Sequence, residues 1–94
     1  MSMQSSTVSV QVKIINRLGL HARPAMAFVD LASGYQCEVS VKKGTQEVDG
    51  KSIMQMMMLA ATQGTDLVIE AAGADAQEAV DALKDLVARK FDED

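Results

Sequence analysis

The sequence predicts an α+β fold in two layers, antiparallel strands with helices on one face, in the order βαββαβα. Three observations carry this expectation. Several short stretches alternate apolar and polar residues, the period of a strand with one buried face. The stretches between them repeat apolar residues at helical spacing. Short turns join all of them, and no linker interrupts the 94 residues, so residues 1–94 are expected to form one domain.

The first strand is expected from Thr7 to Ile15, where Val8, Val10, Val12 and Ile14 alternate with Ser9, Gln11 and Lys13. A helix follows from about Ala22 to Ser33, with Ala25, Phe28, Val29 and Ala32 on one face and Gly34 as its stop. The spacing predicts a second strand over Cys37 to Lys42, with Cys37, Val39 and Val41 inward. Lys43-Gly44 then turns the chain into a short return strand from Thr45 to Val48. The next helix spans about Ser52 to Leu59, where Ser52 and Gln55 have the S-x-x-Q spacing of a capping box. Gly64-Thr65-Asp66 leads into a strand from Leu67 to Ala72. The last helix runs from about Ala76 to Lys90 on an apolar stripe of Ala76, Ala79, Val80, Leu83, Leu86 and Val87. Asp75 with Glu78 is expected to cap its start, and Arg89 and Lys90 suit the negative end of its dipole. The ends, residues 1–6 and 92–94, are expected to be flexible, and Asp92-Glu93-Asp94 to be solvated.

Composition narrows the function. The net charge of −4 and the 3% of aromatic residues argue against nucleic acid, which needs clustered Lys and Arg. No apolar run approaches the roughly 20 residues that span a bilayer, so no membrane insertion is expected. The start, MSMQSST, has neither a basic nor an apolar signal region, and the single cysteine, Cys37, allows no internal disulfide. Together these favour the cytoplasm.

Several chemistries fail on residue count or spacing. One His and one Cys cannot supply the three or four N/S ligands of a zinc site, and the acids an all-carboxylate site would need are scattered at solvent-type positions, so no metal is expected. No cofactor is expected either. Gly50-Lys51-Ser52 ends like a P-loop, but five residues separate it from Gly44 where four are required, and Glu47 and Asp49 are among them. A hydrolytic or acyl-transfer enzyme using His21 as base lacks the G-x-S-x-G elbow.

The remaining candidate is "GLHARPA", Gly19 to Ala25, which holds the only histidine and the only proline of the chain. Gly19 permits a positive φ or a close approach. Pro24 suits a first helical turn, where a missing N–H costs nothing, and it favours Arg23 just outside the helix. Either boundary sets His21 within a turn of a helix start, where free N–H groups and the dipole attract an anion. Arg23 adds a planar cationic fork suited to phosphate. An imidazole's ordinary pKa of about 6.5 leaves such a ring largely neutral at cellular pH, as a nucleophile must be.

"GLHARPA" followed by "VDGKSIM" resembles the HPr family, the histidine-containing phosphocarriers of the phosphoenolpyruvate-dependent phosphotransferase system. The resemblance runs from about Thr7 to Lys90 and includes "GTDLVIEAAGADAQEAV". It implies an open-faced β-sandwich, a four-stranded antiparallel sheet covered on one face by three helices. It implies that His21 accepts a phosphoryl group on Nδ1 from phosphorylated enzyme I and passes it to enzyme IIA-type domains. Arg23 would assist, with the backbone N–H groups near Ala22 and Arg23. Ser52 matches the serine that an ATP-dependent HPr kinase/phosphorylase modifies in many relatives, with a transcriptional regulator as a further partner. On this reading the chain is a stoichiometric, monomeric carrier rather than an autonomous enzyme. The alternative is a regulatory interaction module acting through Ser52.

The helix after Ser52 is short and apolar all round. If Met56 and Leu59 face the sheet, Ile53, Met54 and Met57 point elsewhere, and an exposed patch of adaptable side chains suits docking to several partners. Leu18 resembles the nitrogen-type branch of the family more than many sugar-transport members, and Gln55 stands where many relatives have glycine.

Overall fold

A computed structural model describes residues 7–93. Four strands, β1 (Thr7–Lys13), β2 (Glu38–Lys43), β3 (Gln46–Asp49) and β4 (Asp66–Ala72), form one sheet in the order β1-β4-β2-β3. Every neighbouring pair is antiparallel. The helices are α1 (Ala22–Ser33), α2 (Ile53–Met58) and α3 (Ala76–Ala88), followed by a turn over Lys90–Asp92. The α+β order βαββαβα is therefore the one the sequence predicts.

Register explains how alternation becomes a core. Val10 pairs with Ile69, Ile69 with Val41, and Val41 with Val48, so one apolar row crosses all four strands. Because strand side chains alternate between faces, matched register puts each strand's apolar set on one side. That side carries the helices. Phe28 and Ala32 of α1, Met56 of α2, and Ala79, Leu83 and Val87 of α3 are buried in the same cluster as Val41 and Ile69. The other face keeps polar residues, among them the Lys42–Glu70 and Lys13–Asp66 ion pairs at 3.2 and 2.8 Å. This is an open-faced β-sandwich.

Three local expectations are corrected. Arg23 lies inside α1, not outside it: His21 is the N-cap and Ala25 N–H donates to His21 O at 3.0 Å. Pro24 still sits in the first turn, where its missing N–H costs no bond. Asp75 heads α3 but makes no side-chain cap. Its carboxylate instead accepts from Gln36 N–H at 2.8 Å and Cys37 N–H at 2.9 Å, fastening α3 to the entry of β2. Those donors, the Gln36 N–H first, hold its carboxyl below the ordinary value. Finally, α3 ends at Ala88 rather than Lys90, because Lys90, Phe91 and Asp92 take left-handed φ values of 58°, 56° and 61°.

That turn also bears on the expected loose end. Residues 1–6 and Asp94 lie outside the described residues. Asp92 is paired with Arg89, which also holds Asp85. Phe91 is buried in the core, and Glu93 reaches across to His21. Asp92 is exposed, as expected of a solvated end, but pairs with Arg89, whereas Glu93 is half-buried and hydrogen-bonded to His21 and Asn16.

Candidate functional site: the start of the first helix

The loop from Ile14 to His21 is built to hold one conformation. Ile14 exchanges backbone bonds with the turn before β4, donating to Thr65 O and accepting from Gly64 N–H. Leu20 N–H donates to Ala61 O at 2.8 Å. Gly19 has φ of 73°, and a Cβ there would stand 2.7 Å from Ala61 O. Both facts require glycine, so the loop backbone packs directly against the Ala61–Thr62 backbone. Asn16 is fully buried, and its Nδ2 donates to Gly19 O at 2.7 Å. Among the described residues, Asn16 Oδ1 is the one buried side-chain oxygen without a partner.

His21 caps α1 with extended backbone and makes no side-chain cap bond. Its ring therefore leaves the helix end open. Ala22 and Arg23 N–H have no hydrogen-bond partner among the described residues. Two free donors at the positive end of a helix dipole are an anion-binding arrangement. Arg23 is exposed on the same turn and adds the guanidinium charge.

The ring is asymmetrically used. Nε2 lies 3.1 and 3.0 Å from the two carboxylate oxygens of Glu93, whereas Nδ1 has no partner among the described residues. Glu93 Oε2 also accepts from Asn16 Nδ2 at 3.0 Å. The His21 hydrogen bond is the main cause holding the Glu93 carboxyl below its ordinary value, with the Asn16 bond and the Arg23 charge adding to it. Sequence reasoning missed both Glu93 and Asn16. An acidic tail looks solvated in any composition, and only the left-handed turn at Lys90–Asp92 brings this one back.

Ser52 is the N-cap of α2, as its spacing predicts, and its Oγ accepts from Gln55 N–H at 3.2 Å. The reciprocal half of the capping box is altered. Gln55 Oε1 accepts from Asp49 N–H at 2.9 Å, and Ser52 N–H donates to Asp49 O. Lys51 Nζ reaches Tyr35 O at 2.7 Å, so the turn before Ser52 is anchored to the end of α1.

Of the expected docking residues, Met54 and Met57 are exposed by 76% and 44%. Ile53 is a correction: it is half-buried and packs against the core. Met58 and Met26 are exposed as well, and Leu18 and Ile15 are exposed in the loop before His21. Helices α1 and α2 pack together, so these side chains belong to neighbouring elements. A concavity on the open face of the sheet is lined by Thr7, Ser40, Asp49 and Lys51 among others, and His21 is not part of it. Among the described residues no group of three or more His, Cys, Asp or Glu is placed to hold a metal ion. No helix among the described residues is long and apolar enough to cross a membrane.

An open-faced sandwich with a lone half-exposed imidazole at an uncapped helix N-terminus defines a class of small histidine phosphocarriers. Comparison with known proteins places the chain within it. The family model described as the PTS HPr component phosphorylation site matches residues 8–89. Phosphocarrier protein HPr of Pseudomonas aeruginosa is 48% identical over 86 residues, covering 90% of this chain and 96% of the relative. Phosphocarrier protein NPr of Escherichia coli K12 is 39% identical over 94% of this chain and 99% of its own. The crystal structure of HPr-C-His from Thermoanaerobacter tengcongensis superposes with a TM-score of 0.89 at 42% identity, covering 93% of this chain and 98% of that one. The chain belongs to the HPr family of phosphotransferase-system phosphocarriers.

Proposed function

We propose that this protein accepts a phosphoryl group on His21 Nδ1 from phosphorylated enzyme I and passes it to enzyme IIA-type domains. The observation that carries the reading is the unpartnered Nδ1 of a half-exposed ring beside the free N–H groups of Ala22 and Arg23. Phosphoryl transfer needs positioning and charge stabilisation more than covalent machinery, and a rigid helix start supplies both. The nucleophile comes from this chain and the donor from its partner, so the chain acts stoichiometrically and needs neither metal nor cofactor. We place this exchange in the cytoplasm, with the carrier acting as a monomer. The test is incubation with phosphoenolpyruvate and enzyme I. An acid-labile, alkali-stable phosphate on His21 is expected, and its appearance on any other residue overturns the reading.

Arg23 neutralises the bound phosphoryl group. Met54 and Met57, with Ile53 in part, form the apolar surface on which enzyme I and IIA-type domains dock. Ser52 is the regulatory phosphorylation site for an HPr kinase/phosphorylase, and the modified form binds a transcriptional regulator. Support for the Ser52 role is its half-exposed hydroxyl at the start of α2, next to the exposed methionines.

A further inference from the structure

We propose that Glu93 is a positioning residue for transfer at His21: it holds the Nε2–H, leaving the Nδ1 lone pair for phosphorus, and offsets the charge the ring gains. This rests on the phosphocarrier reading above and assigns a residue from the far end of the chain to the same site.

A carboxylate is an acceptor only, so the ring nitrogen facing it must carry the hydrogen. Both Glu93 oxygens lie within 3.1 Å of Nε2. The neutral ring then keeps its lone pair on Nδ1, the nitrogen with no partner among the described residues. A carboxylate that orients an imidazole in one tautomer is the same device that serves histidine bases in hydrolases, and here the Glu93 carboxylate is half-buried.

The carboxylate is itself fixed from two directions. Asn16 is fully buried, and its Nδ2 donates both to Glu93 Oε2 and to Gly19 O. One amide thus ties the acid to the loop that delivers His21. From the other side, the chain accepts three consecutive left-handed residues that are not glycine, Lys90, Phe91 and Asp92, a backbone that L-residues disfavour. Buried Phe91 and the Arg89–Asp92 pair hold that turn, and Glu93 N–H donates to Lys90 O within it. The strain has a visible product, the delivery of Glu93 to His21.

In the transfer, the Nδ1 lone pair attacks phosphorus and an Nδ1–P bond forms. The bond from phosphorus to the donor breaks, and its electron pair stays with the donor. Nε2 keeps its proton throughout, so the ring becomes cationic and Glu93 balances it. Passing the group on reverses these steps, and the electron pair of the Nδ1–P bond returns to the ring.

Three forms, the wild type, Glu93→Gln and Glu93→Ala, separate orientation from charge. Asn16 requires an oxygen at the Oε2 position, so the glutamine presents its carbonyl there and still accepts from Nε2–H. Ring 15N NMR at about pH 8.5, above the ordinary imidazole range, should show a single Nε2–H tautomer in the wild type and Glu93→Gln. Glu93→Ala should show a tautomer mixture. With enzyme I and phosphoenolpyruvate, kcat for His21 phosphorylation should fall about tenfold in Glu93→Gln and further in Glu93→Ala, with KM for the carrier unchanged. Wild-type acceptance with equal kcat in all three forms overturns this proposal alone. A shared loss that appears only in KM overturns it too, because it assigns Glu93 to docking. No acceptance by the wild type overturns the phosphocarrier reading, and this proposal with it.

Discussion

The two helices that begin beside the sequence motifs use their first residues in opposite ways. At α2, Ser52 closes the end, its hydroxyl accepting the Gln55 N–H that would otherwise be free. At α1, His21 occupies the same cap position and closes nothing. Its side chain turns instead to Glu93, and among the described residues the N–H groups of Ala22 and Arg23 have no partner. A cap hydroxyl stabilises the fold, while an uncapped end keeps its donors for an anion. The difference teaches that helix starts of similar appearance in sequence divide into a structural one and one with vacant binding capacity.

The sharpest way to break this contrast is to remove the imidazole. His21→Ala should abolish phosphoryl acceptance while the far-ultraviolet circular dichroism and melting stay close to wild type, because the ring is half-exposed and caps no helix N–H. A variant that still takes phosphate from enzyme I would remove α1 from the comparison altogether.

Arg23→Ala should slow transfer by about one to two orders of magnitude, the scale of one charge-assisted contact to the moving phosphoryl group. The exposed side chain should contribute little to stability. Stopped-flow kinetics with enzyme I measures this, and unchanged rates would mean that the backbone donors at α1 suffice.

Ser52 sharpens the contrast from the other side. A phosphate there carries about −1.5 to −2 charge at the positive end of a helix, so the domain should stay folded. Its cost should fall on docking, since the dianion stands beside Met54 and Met57, where an apolar contact must desolvate it. Phosphorylation at His21 should slow mainly through KM, with Ser52→Asp showing a weaker version. Ser52→Ala should keep normal transfer and lose only the cap, about 1 kcal/mol, which lowers the melting temperature by roughly 4–8 °C in a domain of this size. Normal kinetics with phosphorylated Ser52 would leave α2 as a purely structural start.

The smallest effect is acid sensitivity. Asp75 has its carboxyl held below the ordinary value of 3.8 by the Gln36 N–H first, then by the Cys37 N–H. A depressed carboxyl stabilises the fold above its unfolded value, and that contribution disappears as pH falls through the lower folded value. Denaturant titrations between about pH 5 and pH 2 should therefore show a steeper acid loss in the wild type than in Asp75→Asn. Equal slopes would mean that the α3–β2 fastening does not titrate.

Much of this was legible without coordinates. Alternation at Val8 to Ile14 and Val39 to Val41 predicts which face of each strand is buried, because the strand period is two and does not depend on the partner. The Ala22–Ser33 limits of α1 and the cap at Ser52 follow from local side-chain chemistry, which acts within three or four residues. His21, Arg23 and Ser52 stand out as candidates for the same reason, since their motifs are contiguous. Local signals failed where a distant group competed. Asp75 reads as a helix cap, but the Gln36 and Cys37 N–H groups claim its carboxylate. Ile53 reads as exposed, but α2 is seated so that it meets the core.

The sequence by itself determined the element order, the apolar face of the sheet and the helix start that carries His21, because each depends on the chain's own period and its nearest neighbours. Tertiary structure alone decided what faces His21. Asn16 and Glu93 stand 77 positions apart and meet through a hydrogen bond at the ring. No local pattern encodes that meeting. It depends on α3 crossing the sheet, on Phe91 finding the core, and on a left-handed turn returning the chain to the loop before α1.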